Sequence, residues 1–198
     1  MKTLNVLKSV LFTVAIFASA IGFSQDKMMK KEKMMKEKTV MAGGAAMYPS
    51  KNIIENALNS KDHTTLVAAV KAGELVDVLM GEAPFTVFAP TNAAFEKLPM
   101  GTVETLLKPE NKKSLQTVLT NHVASGKWNA NDILKLIKKG NGKAEIKTLS
   151  GGILTAWLKG KDVYVTDENG NSAKVIIADV NQSNGVIHVI DTVVLPKS

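Results

Sequence analysis

Three histidines, His63, His122 and His188, are the chain's stock of side chains that titrate near neutral pH. No cysteine accompanies them, which excludes a thiolate nucleophile, a thiolate metal site and a disulfide framework. No HExxH pair is present to hold zinc, no GxSxG elbow to expose a serine, and no GxxxxGK[ST] loop to cradle phosphate. Lys139-Gly140-Asn141-Gly142-Lys143 is only a turn, and the neighbouring carboxylates Asp167 and Glu168 sit in a turn without a partner. These residue types at these spacings predict a protein that is not an enzyme and uses no cofactor. One further chemistry is open. Met28, Met29, Met34 and Met35 form two thioether pairs that could hold soft Cu(I). Lysines and glutamates between them equally suit a solvated tether with helical tendency.

The histidines need elements to position them. Leu115, Val118, Leu119 and His122 follow i, i+3, i+4, i+7, so a helix places His122 on its apolar face, which predicts burial. His188 alternates with Val186 and Ile190 along a strand, which predicts a core or near-core histidine. Asp191 is expected to pair with a backbone group or a lysine.

Charge narrows the partners. All 25 basic residues are lysines, so the arginine fork that reads guanine and clamps phosphate is missing, and nucleic acid is not an expected partner. The net charge of +7 belongs mostly to the N-terminal part, since residues 48–198 are nearly balanced. A basic groove on the folded part is not expected.

Residues 1–25 read as a signal peptide: Lys2 and Lys8, then the apolar run Val10–Phe23, then small residues at 18–20. The run is shorter than the ~20 residues of a membrane span. No second apolar segment of spanning length follows, so no integral span is expected after cleavage. No lipid-bearing cysteine follows it either. The expected location is periplasmic, or secreted and extracellular. Residues 26–47 read as a flexible linker rich in lysine, methionine and glutamate, with Gly43 and Gly44 as a hinge. Residues 48–198 read as one domain.

Within that domain the first half reads as short helices. Ser50, Asp62 or His63, and Thr91 or Asn92 are candidate caps, and Gly73, Gly81 and Gly140 are stops. FTVFAP (85–90) is a buried strand. The second half switches to strands at 144–149, 153–158, 162–166, 173–180 and 186–195, broken by Ser150-Gly151-Gly152 and DENGN. Helices first and a mainly antiparallel sheet later predict an α+β fold.

Two stretches carry a family resemblance. TVFAPTNAAFEKL (86–98) and GVIHVIDTVVLP (185–196), with NHV (121–123) between them, resemble the signatures of the fasciclin-like domain family. The resemblance covers about residues 50–196. It implies a β-wedge flanked by several short helices, in a secreted or envelope protein with no catalytic role. It implies adhesion, with cell-surface or matrix proteins and polysaccharides as partners and weak self-association. A Tyr-His pair at this place is tied to receptor binding in some animal members. Here the pair is Asn121-His122, the candidate binding residues. The alternative is a periplasmic protein that binds a small ligand, either a lipid or Cu(I).

Overall fold

The computed structural model describes residues 38–81 and 84–197. The proposed signal peptide, most of the expected linker and the methionine pairs lie outside them. The described chain opens on a hairpin of β1 (Val40–Ala42) and β2 (Ala45–Met47), paired antiparallel about Gly43-Gly44. Both glycines take positive φ, 58° and 73°, as a two-residue hairpin turn requires. A hinge was expected here, and the domain was expected to begin at 48. Instead Ala42 and Met47 are buried in the main core, and the compact body begins at Lys38. The Lys61 amide donates to the Gly43 carbonyl at 2.9 Å, which ties the turn to the first helices.

Short helices follow. α1 (Ile53–Ala57) begins with a capping box. The Asn52 side chain accepts the Glu55 amide at 2.8 Å, and the Glu55 carboxylate accepts the Asn52 amide at 2.9 Å. The cap is thus two residues beyond the expected Ser50. A 3₁₀ turn at Lys61–His63 leads into α2 (Thr64–Ala72), which ends at Gly73, and α3 (Val76–Met80) ends at Gly81. β3 (Phe85–Pro90) is buried along its whole length. Thr91 then caps α4 (Asn92–Glu96), its hydroxyl accepting the Ala94 amide at 3.2 Å. After α5 (Thr102–Leu106), α6 (Lys112–Asn121) buries Leu115, Val118 and Leu119, the face that the sequence pattern marks. β4 (Val123–Ser125) precedes α7 (Ala130–Lys139), which turns Ile133 and Ile137 inward.

The sheet strands are β5 (Lys143–Lys147), β6 (Ile153–Lys159), β7 (Asp162–Thr166), β8 (Ser172–Gln182) and β9 (Gly185–Ile190). Their spatial order is β4-β3-β9-β8-β7-β6-β5, and only β3 with β9 is parallel. The sheet curls so that its two edges touch. Ala124 bridges Thr148, and the Leu149 amide donates to the Val123 carbonyl at 2.7 Å. The result is the expected α+β wedge. One core lies between β3, β8 and β9 and the helices α1, α2, α3 and α6. A second lies between α7 and the inner face of β5 to β8, with Phe88 and Ile190 inside it. Burying a side chain such as Phe88 contributes ~2–3 kcal/mol.

The last strand is shorter than the expected 186–195. It stops at Ile190 because Asp191 turns the chain, its carboxylate accepting the Lys174 amide at 2.8 Å. Val193 and Val194 remain buried beyond it.

Candidate functional site

Asn121 and His122 end α6 at a junction of three chain segments. His122 is 3% exposed and Asn121 is 2% exposed. The His122 Nδ1 faces the Val118 carbonyl at 2.8 Å, and Nε2 accepts the Val194 amide at 3.1 Å. A carbonyl cannot donate and an amide cannot accept. The ring is therefore neutral, with its proton on Nδ1. Burial drives its pKa down to about 4, against smaller upward pulls from the Val118 carbonyl and Asp167. The Asn121 Oδ1 accepts the hydroxyls of Ser150 at 3.0 Å and Thr148 at 3.3 Å, holding the β5–β6 turn. Both residues are satisfied from within the chain, and neither offers a surface to a macromolecule.

His188 has the opposite tautomer. Its Nε2 donates to the Trp128 carbonyl at 2.8 Å, and Nδ1 accepts the Asp179 amide at 3.4 Å. The ring stacks on Phe88 at 5.7 Å, and burial lowers its pKa although the Trp128 carbonyl and Asp179 oppose this. The expectation of a satisfied core histidine holds. Asp191 also takes its expected role. Burial alone would raise its carboxyl, but the Lys174 amide, the Thr192 hydroxyl and Lys97 outweigh burial and bring it below the ordinary range. Asp167, unpartnered in the sequence, is buried. It accepts the amides of Asn169, Asn171 and Leu195 at 2.8–3.0 Å.

Two places went unmarked by sequence reasoning. The first is an apolar cavity of about 60 Å³ between the α1–α3 helices and the sheet, lined by His63 and also by His122. The His63 Nδ1 lies 2.6 Å from Ser60 Oγ, while its Nε2 is buried without a hydrogen-bond partner. Burial lowers its pKa, against a smaller pull from Asp62. The second lies on the outer face of the sheet. Trp157 and Tyr164 are direct cross-strand partners whose rings stack at 5.1 Å with 25° between their planes. The indole N–H donates to Thr166 Oγ1 at 2.8 Å. The alternation Ile153-Thr155-Trp157-Lys159 was the available signal for this face. The pairing partner that makes Trp157 half of a stack was not visible without the register.

No group of three or more histidine or carboxylate side chains able to hold a metal ion is found among the described residues. Nor is any helix among them long and apolar enough to cross a membrane.

The strand-to-helix corner at 85–96 and the central β9, joined by the only parallel pairing, coincide with a family pattern. The fasciclin domain model matches residues 61–196. The chain belongs to the fasciclin domain family. Protein sll1483 of Synechocystis is 48% identical over 160 residues, covering 81% of this chain and 82% of that protein. The cell surface glycolipoprotein MPB83 of Mycobacterium bovis is 32% identical over 158 residues, 80% of this chain and 61% of its own length. The FAS1 domain pair of the insect cell adhesion molecule fasciclin I superposes with a TM-score of 0.67 at 16% identity, over 81% of this chain and 58% of that one. That last likeness concerns the fold alone.

Proposed function

We propose that this fasciclin domain is a non-catalytic adhesion module, exported by its N-terminal segment and working at the cell surface or in the envelope. Its contacts are surface or matrix proteins and polysaccharides. One observation carries the reading. The side chains best suited to chemistry, His122, His188 and Asp167, are buried and bonded to the chain's own backbone. What remains for function is the outer surface. A relative named for the cell surface, 32% identical over 158 residues, supports the same placement. Retention of the protein on whole cells, on extracellular polysaccharide and on immobilised copies of itself tests it. Absence of retention on all three, with no attachment defect on deletion, overturns it.

The His63 cavity favours a second reading, a small apolar ligand carrying one polar atom. A water there would find too few partners, because the lining is almost wholly apolar. The volume of about 60 Å³ is well below the ~300 Å³ of ordinary ligand pockets, so a lipid requires α1–α3 to part from the sheet. Saturable uptake of a fluorescent fatty acid, reduced by Ala57→Phe in the lining, is the expected result. Non-saturable uptake rules this reading out. The Cu(I) version depends on Met28, Met29, Met34 and Met35. Equal Cu(I) affinity with and without residues 26–37, a cut that spares the opening hairpin, removes it.

A further inference from the structure

The sheet formed by β5 to β8 has two unlike faces. Its inner face packs Ala144, Ile146, Leu154, Ala156, Val165 and Ala173 against α7. Its outer face carries the alternate residues, and none of these belongs to a core cluster. Across its middle runs one cross-strand row of directly opposed residues, Lys143–Trp157–Tyr164–Lys174, a residue from each of four strands. Strand spacing makes the row ~14 Å long. Beside it lies a second row, Glu145–Thr155–Thr166–Ser172, in which the Thr166 and Ser172 hydroxyls are 2.8 Å apart.

Each part has a simple chemistry. The stacked rings, one of them pinned by the hydrogen bond to Thr166, are an apolar surface held rigid before any ligand arrives. Little side-chain entropy is left to lose on binding. The hydroxyl row supplies donors and acceptors. Charge gives the sign of the ligand. The face carries four lysines, Lys143, Lys147, Lys159 and Lys174, against two carboxylates, Glu145 and Asp162. Asp162 is engaged by Lys174 at 2.6 Å, whereas Lys143, Lys147 and Lys159 make no ion pair with any described residue. A cross-strand aromatic pair adds ~0.2–1 kcal/mol to a sheet wherever it sits. This pair sits between Lys143 and Lys174, on the face turned away from α7.

We infer that this outer face, centred on Trp157 and Tyr164, binds an acidic polysaccharide. Sugar rings pack against the outer edges of the stacked pair, sugar hydroxyls meet Thr155, Thr166 and Ser172, and the acid groups meet Lys143, Lys147 and Lys159. The inference rests on the adhesion reading and adds to it a place and a ligand class.

Affinity electrophoresis of the full chain through gels containing alginate, heparin or neutral dextran is the test. Alginate and heparin should retard it and dextran should not. Alginate carries carboxylates alone and heparin carries carboxylates with sulfates, so retardation by heparin without retardation by alginate assigns sulfate as the acid. Trp157→Ala should weaken binding roughly tenfold, the usual cost of truncating an aromatic anchor. Lys143→Glu, at an exposed strand position, should weaken it severalfold and flatten its salt dependence while leaving the circular dichroism unchanged. It decides the matter if Trp157→Ala fails to fold. Wild-type retardation in both variants overturns the site while leaving the adhesion reading intact. So does a wild type that is retained on cells but passes freely through alginate and heparin, which indicates a protein partner. Loss of retention on cells as well removes the adhesion reading along with the site.

Discussion

His122 Nε2 and the Val194 amide meet at 3.1 Å, linking the end of α6 to the last buried residues of the chain. The same ring holds the Val118 carbonyl through Nδ1. His122 is therefore a bracket between two backbone segments. Replacement by Leu fills most of the space but leaves one amide and one carbonyl buried without partners. Each costs ~1–3 kcal/mol. His122→Leu should lose roughly 2–4 kcal/mol in urea denaturation, although leucine is the more apolar side chain. A gain in stability would contradict the bracket.

The same ring makes the fold sensitive to acid. Its pKa is about 4 when folded, against an ordinary value near 6.5 when unfolded. Between those values the unfolded chain binds the extra proton, so stability rises with pH across that window. The contribution is complete above ~6.5 and lost as pH falls towards 4, a change of roughly 3 kcal/mol. His63 and His188 shift in the same direction. Equilibrium unfolding at pH 7 and at pH 4.5 should therefore give clearly lower stability at the acid end. Equal values would mean the histidines are not held neutral.

Gly185 and Gly44 make a controlled pair. Gly185 opposes Phe85 in the parallel pairing of β9 with β3, and a Cβ there would strike the Phe85 backbone. Gly44 has φ +73° but open space around it. Gly44→Ala should cost ~1 kcal/mol from backbone strain alone. Gly185→Ala should cost more than ~2 kcal/mol, because two backbones must move apart. Thermal melts of the two variants check the order.

Met47, in the opening hairpin, is 3% exposed. Met47→Ala should destabilise by roughly 2–4 kcal/mol. Met41, on the same hairpin but 61% exposed, should tolerate alanine within ~0.5 kcal/mol. Equal effects would show that the hairpin does not belong to the core.

Much of this fold was legible in the sequence. The periodicity around His122, the proline-closed strand at 85–90 and the glycine stops at 73, 81 and 140 each report a local constraint, and local constraints are what a sequence displays. The opening hairpin was not legible. Strands of three residues are too short to show alternation, and Gly43-Gly44 has the same composition in a turn as in a hinge. The end of β9 was missed because Val193 and Val194 are as apolar as strand residues, while the bond from the Lys174 amide to Asp191 comes from a distant segment. Site reading meets the same limit. Asn121-His122 stand out by type, yet they are buried and bonded to residues 118, 148, 150 and 194 of the chain itself. Trp157 and Tyr164 become a pair only once β6 and β7 are in register.

The order of assembly follows from where β9 lies. It is the last strand among the described residues, yet it sits between β3 and β8 and pairs in parallel with β3. The helical half therefore cannot complete its main core until the last residues arrive. Contacts so distant in sequence make folding slow. Under the export proposed above, that delay keeps the chain slack enough to be threaded before β9 closes the core.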